Sequence, residues 1–352
     1  MSEEKSGLND FNDIADPGGK AASNEGSPLD VILRTAAGYS VARALHVAAD
    51  LGVADHIGDT GSPVAELARK TGADADALGR ILRLLSAHGI FRTDADTVSH
   101  NPVSDTLRTD HPQSARDLAR MFGLPFVWQT FEALDHTIKT GRPAVEKALP
   151  EGVWAWLAER PDASSVFNGA MIGKSFGQVA GVVGTFEFSR FPRIADVGGG
   201  RGHLLQAILA KYPQATGLLF ELPHVIDEVR GIATDRLQLQ GGDFFADQLP
   251  QCDAYLLMEV IHDWDDDKAA QILSSVRRSA PPGASLLLIE QLMPEGPGPH
   301  WVKMLDIHMM ALFAARQRSQ IEYDKLAQHC GFRPVATTDT PAGISVLEYQ
   351  AV

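Results

Sequence analysis

A glycine-rich turn near the middle of this 352-residue chain has the residue types and spacing of a ligand site. Asp196 lies near the end of a β-rich run, and Gly198, Gly200 and Gly202 follow it at alternate positions before a helical pattern begins. Glycine lets the backbone approach a ligand closely, and the helix N-terminus offers free N–H groups. Glu221 follows about 20 residues later, where a nucleotide site needs an acid for the ribose hydroxyls. This spacing predicts a site for a nucleoside-containing cofactor.

Two kinds of cofactor are candidates for this turn. A dinucleotide site has the pattern G-x-G-x-x-G, in which the third glycine permits close packing of the helix. His203 occupies that third position here. The spacing from Asp196 to Gly202 instead resembles motif I of the S-adenosylmethionine-dependent methyltransferases. A glycine-rich turn that binds no ligand is the remaining alternative.

Strands and helices alternate from about residue 193 onward, which predicts a parallel, doubly wound sheet. The predicted strands cover residues 193–197, 216–221, 236–240, 253–261 and 284–290, with a closing antiparallel pair over 333–338 and 345–349. Polar groups end the five parallel strands, and the carboxyl ends of such strands meet at one crevice. These groups are Asp196, Glu221, Asp243, His262 and Glu290.

His262 is the group in this set that could act as a base near neutral pH. A phenol with a pKa near 10 is ionised in only about one molecule in 10³ at pH 7, a deficit of ~4 kcal/mol for a nucleophile. A neutral imidazole can take the phenol's proton as the oxygen attacks a sulfonium methyl group. A purely structural role for His262 is the alternative.

The run from His262 through Asp263 and Trp264 to a series of aspartates resembles the catalytic segment of plant-type small-molecule O-methyltransferases. Bacterial relatives of that family act in natural-product pathways. The resemblance covers roughly residues 30–350. It implies S-adenosylmethionine as methyl donor, S-adenosylhomocysteine as product, and a hydroxylated aromatic secondary metabolite, such as a phenazine- or polyketide-type phenol, as acceptor.

The same resemblance implies roles for individual residues. His262 matches the general base, Glu290 matches one of the two glutamates beside it, and Gln317 stands where relatives have the second glutamate. Alanines at 314 and 315 replace two glycines of that segment, and Met258 replaces a lysine. The implied cofactor contacts are Asp196, Gly198, Gly200, Glu221, Leu222, Gly242, Asp243 and Phe244, with ordinary core packing as the alternative for Phe244. The predicted substrate contacts are Trp128, Phe131, Met171, Asp263, Met309 and Phe313, with core packing as the alternative for the aromatic residues and methionines. No metal site is expected.

The N-terminal half has the outline of a winged helix, with helices over 64–70 and 75–88 and short strands near 92 and 97–99. A DNA-binding role is disfavoured, because residues 40–92 hold six Lys or Arg and six Asp or Glu. Asp74 and Asp76 open the second helix, where carboxylates would face phosphates. The family's counterpart of this region is a dimerisation domain, which implies a homodimer.

Bulk composition is that of an ordinary globular protein, with 44% hydrophobic and 22% charged residues. The net charge of −14 argues against a nucleic-acid partner. No apolar run is long enough to cross a membrane, and the polar N-terminus is unlike a secretory signal, so a cytoplasmic location is expected. Two cysteines are too few for a disulfide framework.

The predicted fold is therefore α/β: a C-terminal Rossmann-like, doubly wound, mostly parallel sheet and a mainly α-helical, winged-helix-like N-terminal dimerisation domain. The predicted domains are a disordered tail at 1–28, the dimerisation domain at 29–165 and the S-adenosylmethionine-binding domain at 166–352. Two alternatives to O-methylation stay open. One keeps the fold but methylates nitrogen or supports decarboxylation or hydroxylation, and the other is a metabolite-sensing regulator.

Overall fold

The structure, a computed structural model, describes residues 27–352. The helices are α1 (Pro28–Ala36), α2 (Tyr39–Asp50), α3 (Val64–Thr71), α4 (Ala75–Ala87), α5 (Pro102–Asp105), α6 (Arg116–Phe122), α7 (Pro125–Glu132), α8 (Leu134–Thr140), α9 (Val145–Ala148), α10 (Gly152–Ala158), α11 (Pro161–Thr185), α12 (His203–Lys211), α13 (Pro223–Glu228), α14 (Asp266–Ser279), α15 (Trp301–Phe313) and α16 (Gln320–His329). The strands are β1 (Ser62–Pro63), β2 (Arg92–Asp94), β3 (Thr97–Ser99), β4 (Arg193–Val197), β5 (Thr216–Glu221), β6 (Leu237–Gly241), β7 (Ala254–Met258), β8 (Ser285–Glu290), β9 (Phe332–Asp339) and β10 (Ser345–Ala351). Short 3₁₀ helices cover Val53–His56, Arg230–Ile232 and Ile261–Asp263.

The described residues form two compact units. One, the sheet unit, comprises residues 133–148 and 176–352, and the other, the helical unit, comprises 27–132 and 149–175. The predicted domains at 29–165 and 166–352 divide the chain only once, and this division stays a prediction. The tail predicted over 1–28 lies outside the described residues, apart from Ser27 and Pro28, which cap and begin α1.

The sheet unit contains a seven-stranded sheet in the order β6-β5-β4-β7-β8-β10-β9. The first five strands are parallel to their neighbours, and β10 is antiparallel to both β8 and β9. This is the predicted mostly parallel sheet with its closing antiparallel pair, and it confirms the fold class. The strand order reverses between β4 and β7, the position at which open α/β sheets bind ligands.

Side chains of the parallel strands alternate between two apolar cores because successive residues of a strand point to opposite faces. Tyr255 and Leu257 pack on one face with Ile272 of α14, whereas Ala254 and Leu256 pack on the other face. The second face is covered by residues of α11, α12 and α13. Burial on both faces explains why these strands are continuous apolar runs.

The helical unit contains the predicted winged helix. Strands β1, β3 and β2 form a small antiparallel sheet beside α3 and α4. Gly72 ends α3 in the left-handed conformation, and the Asp74 side chain accepts a hydrogen bond from the Ala77 N–H at the start of α4. This cap agrees with the prediction that Asp74 opens the second helix.

Two strand predictions need correction. Strand β7 ends at Met258 rather than at residue 261, and His262 lies on the following 3₁₀ helix instead of on the strand. The strand ends early because Glu259 has a positive φ of 51°, a conformation that cannot continue a strand. Strand β6 is displaced by one residue from the prediction. Among residues 27–352, no helix is long and apolar enough to span a membrane.

Candidate active site

The glycine-rich turn after β4 adopts backbone conformations that favour glycine. Gly198, Gly200 and Gly202 all have positive φ angles, of 69°, 56° and 72°. A Cβ atom on Gly198 would lie 3.2 Å from the Val260 side chain and 3.5 Å from the Phe244 ring. The turn is therefore close to the segments that follow β7 and β6.

Asp196 lies beneath this turn and is 1% exposed. Neither of its carboxylate oxygens has a hydrogen-bond partner among the described side chains and backbone groups. Burial raises the pKa of this carboxyl to about 7, and the nearby charge of Glu221 acts in the same direction. The backbone N–H of Leu205 opposes that rise, and a buried acid with so little compensation is costly in free energy.

Glu221 is held at the end of β5 by two backbone N–H groups. Gly200 donates to one carboxylate oxygen at 3.1 Å, and Leu222 donates to the other at 2.7 Å. Each oxygen keeps a second lone pair that could accept a hydroxyl hydrogen bond. The Leu222 side chain is 43% exposed.

The third strand end contributes Gly242, Asp243 and Phe244. A Cβ atom on Gly242 would lie 2.4 Å from the Phe220 ring, so no larger residue fits there. Asp243 accepts a hydrogen bond from the Phe245 N–H at 2.8 Å, which fixes the turn. The Phe244 and Phe245 rings both stand edge-on to Trp264, at centroid distances of 6.2 Å and 4.9 Å.

His262 is buried on the 3₁₀ helix between β7 and α14 and has a carboxylate on each side of its ring. Nδ1 lies 3.3 Å from a Glu290 oxygen, and Nε2 lies 3.2 Å from an Asp263 oxygen. The other Glu290 oxygen accepts hydrogen bonds from the Ile261 and His262 N–H groups. Glu290 therefore positions both the ring and the backbone of His262.

Opposing effects set the pKa of His262. Burial lowers it, but the negative charges of Glu290, Asp263 and Glu259 outweigh burial and raise the pKa to about 9. Burial raises the pKa of Glu290 to about 7, and the neighbouring imidazole opposes that rise. This arrangement favours the protonated imidazole, and the Asp263 side chain, which is 51% exposed, lies against its Nε2.

Gln317 lies beside the His262 ring, at the position where the resemblance implies that relatives have their second glutamate. Its Nε2 lies 3.1 Å from Nδ1, and its carbonyl oxygen is buried without a partner among the described residues. Rotation of the amide by about 180° would direct that oxygen at Nδ1, where it could accept the ring N–H. The amide then orients the imidazole but adds no negative charge.

The predicted substrate contacts lie in both units. In the sheet unit, Met309 is buried and packs with Leu305, Ala315 and Phe313. In the helical unit, Trp128 lines a groove of about 900 Å³. Phe131 lies beside Trp128, and Met171 packs against a cluster that includes Met121. These six substrate contacts, like the cofactor contacts, stay predictions.

Sequence reasoning missed two features of this region. Arg318 is fully buried and donates to the backbone around His262. Glu259 accepts hydrogen bonds from the buried amides of Gln178 and Gln291, at 3.2 Å and 2.8 Å. The only available signal was the nearness of Arg318 to Gln317 in the sequence, since the partners of Glu259 are 81 and 32 residues away.

Comparison with known proteins identifies the family. Residues 131–333 match the O-methyltransferase domain model, and residues 33–110 match the O-methyltransferase dimerisation domain model. The chain is 36% identical to the phenazine O-methyltransferase PhzM of Lysobacter antibioticus, over 92% of this chain and 96% of that protein. It is 34% identical to the 8-amino-8-demethylriboflavin N,N-dimethyltransferase of Streptomyces davaonensis, over 83% and 86%.

Among solved structures, the SAH-bound form of CalO1, a methyltransferase in calicheamicin biosynthesis, superposes with a TM-score of 0.86. That protein is 29% identical, and the match covers 93% of this chain and all of the other. The glycine-rich turn and the histidine–carboxylate pair lie on the sheet unit, within the matched domain. The chain belongs to the S-adenosylmethionine-dependent O-methyltransferase family.

Proposed function

We propose that this enzyme methylates a phenolic hydroxyl of an aromatic secondary metabolite, with His262 as general base. The observation that carries the proposal is the buried imidazole whose Nδ1 is 3.3 Å from Glu290. The negative charge of Glu290 beside Nδ1 stabilises the imidazolium that forms when Nε2 takes the phenol's proton. The Asp263 side chain must leave Nε2 before an acceptor hydroxyl can bind there.

The residues at the strand ends fit S-adenosylmethionine. Glu221 has carboxylate lone pairs for the ribose hydroxyls, and its position is fixed by two N–H groups. The unpartnered carboxylate of Asp196 and the positive φ angles of the turn are consistent with a polar ligand close to the backbone. We assign the binding and covering of the adenine to Asp243 and Phe244, which follow the end of β6. The cofactor would supply an electrophilic methyl group, and these side chains would bind and orient it.

Names of relatives support an aromatic acceptor of the antibiotic or phenazine type. A relative that methylates an aromatic amine has 34% identity, so nitrogen is the second candidate nucleophile. Hydroxyl and amine acceptors differ in their need for a general base. A neutral aromatic amine is already nucleophilic, whereas a phenol must lose its proton. The His262–Glu290 pair therefore favours the hydroxyl.

The experiment pairs His262→Ala with His329→Ala, a control that removes an exposed histidine of α16 in the same unit. Methyl transfer from labelled cofactor is followed to a panel of hydroxylated aromatics and the matching amines. We expect His262→Ala to lower kcat on phenols by ~10²-fold or more. Calorimetric affinity for S-adenosylhomocysteine should stay unchanged, and His329→Ala should behave as wild type.

Three results would contradict this proposal. Unchanged turnover in His262→Ala removes this residue as the base. Transfer to the amines alone assigns the enzyme to nitrogen methylation. Absence of any affinity for the cofactor or its demethylated product excludes methyl transfer at this site.

We also propose that the enzyme is a homodimer. Helix α1 belongs to the helical unit and buries none of its residues, although Leu29, Ile32 and Leu33 are apolar and more than half exposed. Residues 33–110 match the family's dimerisation domain. A second copy of the chain is the partner that these features favour.

A further inference from the structure

The Arg318 guanidinium is buried, with only 1% of the residue exposed, and it contacts the backbone on both sides of His262. One terminal nitrogen donates to the Ile261 carbonyl at 3.0 Å, and the other donates to the Trp264 carbonyl at 2.8 Å. Residues 261–264, which we call the catalytic turn, are therefore held at both ends by one side chain.

Asp266 provides the negative charge for this guanidinium. Its carboxylate oxygen accepts from the Arg318 Nε at 3.0 Å and from a terminal nitrogen at 2.7 Å. Asp266 is the first residue of α14, so Arg318 also joins the catalytic turn to the helix that follows it. Arginine suits this position because its planar fork of five N–H donors can bond several acceptors at once.

Neighbouring residues of the same segment contact His262 itself. The Arg316 N–H donates to the His262 carbonyl at 3.2 Å, and the Gln317 amide contacts the imidazole Nδ1. The Gln317 N–H in turn donates to Asp306 of α15 at 2.8 Å. Arg318 therefore follows directly on two residues that contact His262, and it bonds the turn on both sides of that histidine.

We propose that Arg318 is a positioning residue for the methyl-transfer reaction, and that it holds the catalytic turn so that His262 keeps its contacts with Glu290 and Gln317. This inference rests on the proposed role of His262 as base. Arg318 acts through backbone carbonyls and through Gln317. Loss of its contacts lets the turn move and separates Nδ1 from the carboxylate that raises the His262 pKa.

An arginine that only joins backbone segments should affect stability but not kcat, and Arg277 is a matched example in this chain. Arg277 of α14 also donates to backbone carbonyls of its own unit, those of Gly331, Ala280 and Val352. None of these carbonyls belongs to the catalytic turn. Arg277→Lys therefore controls for the loss of a guanidinium that joins backbone segments.

The test compares Arg318→Lys with Arg277→Lys and wild type. Lysine keeps the charge and can reach Asp266, but its single ammonium cannot bond both carbonyls in the same geometry. We expect Arg318→Lys to lower kcat at least 10-fold, with affinity for S-adenosylhomocysteine within about 2-fold of wild type. The pKa of His262, followed by NMR of ¹⁵N-labelled imidazole and assigned with His262→Ala, should move downward. Arg277→Lys should lower only the thermal midpoint.

A folded Arg318→Lys enzyme with wild-type kcat and an unshifted His262 pKa would overturn the inference, as would an equal kcat loss in Arg277→Lys. If Arg318→Lys does not fold, Asp266→Ala decides, because it removes the oxygen that accepts two of the four Arg318 bonds, at a largely exposed position. In that variant, decreases in kcat and in the His262 pKa that are smaller than those expected for Arg318→Lys support the inference. Wild-type values of both quantities overturn it. The NMR measurement of the His262 pKa does not depend on turnover. It therefore distinguishes a failure of the Arg318 inference from a failure of His262 as the proposed base.

Discussion

At the scale of single residues, the site is dominated by one imidazole among three carboxylates. Burial disfavours the charged ring, yet Glu290, Asp263 and Glu259 raise the His262 pKa. As the proposed general base, His262 must be neutral when the substrate arrives, so part of this negative charge has to be removed or screened during the cycle. Asp263 is the acid of the three that is half exposed, and it contacts Nε2 directly.

Replacement of Asp263 by Asn tests this charge balance. The amide removes a negative charge next to the imidazole, so the pKa of His262 should fall. With His262 as the proposed base, we expect activity to rise with pH as the imidazole loses its proton, so the rising limb of kcat/KM should move to lower pH. The measurement is a pH–rate profile of the variant against wild type. A limb that stays in place would mean that Asp263 is already away from Nε2 in the free enzyme.

The buried carboxyl of Asp196 should make the stability of the folded chain depend on pH. Burial raises its pKa to about 7 in the folded chain, whereas an unfolded chain has an ordinary value near 4. The folded state therefore binds the proton more tightly, and stability falls as pH rises from about 4 to about 7 and is constant above that range. In cofactor-free protein, Asp196→Asn should lose less stability than wild type between pH 5 and pH 8, as measured by urea unfolding. Parallel curves would contradict this prediction.

At the scale of elements, the turn after α15 explains a departure noted in the sequence. Ala314 has a φ of 56°, the left-handed conformation that favours glycine, and relatives are expected by resemblance to have glycine there. The turn directs the chain into the segment that carries Gln317 and Arg318. A strained residue at this point is thus a cost in stability that the site tolerates.

Ala314→Gly should therefore stabilise the protein. The left-handed conformation costs alanine roughly 1–2 kcal/mol, and the entropy of glycine offsets about 0.5–1 kcal/mol of that gain. We expect a net rise of ~1 kcal/mol in the free energy of unfolding, measured with urea. Ala315→Gly is the matched control, because Ala315 is buried and packs against Met309, so it should destabilise. A loss of stability in Ala314→Gly would show that its methyl group is needed.

The elements also show how far sequence reasoning reaches. The buried strands and the helix caps at Asp74 and Asp265 follow local patterns, and such patterns are visible in one sequence. The apolar run through Val260 and Ile261 predicts a longer β7 than the structure has. The positive φ of Glu259, which ends the strand, has no signal in the local sequence. Its partners Gln178 and Gln291 come from distant segments. The fold was therefore predictable, and the polar contacts that join distant segments were not.

At the scale of the whole molecule, helix α1 is the feature that points beyond one chain. It has a capping box at Ser27 and nine residues, and isolated helices shorter than about 12 residues are marginal in water. Its apolar residues Leu29, Ile32 and Leu33 recur at a spacing that places them on one face. Such a helix gains its stability from burying that face against another surface.

The dimer prediction follows from this face. Ile32→Asp combined with Leu33→Asp places two charges where an apolar contact is proposed, and desolvating them without partners costs several kcal/mol. We expect the double variant to sediment as a monomer at concentrations where wild type is a dimer. Val335→Asp, on β9 of the sheet unit, is the control for an exposed apolar side chain and should leave the dimer intact. Because α1 lies outside the sheet unit, affinity for S-adenosylhomocysteine should survive in the monomer. A dimer that persists in the double variant would show that its interface does not depend on this helix.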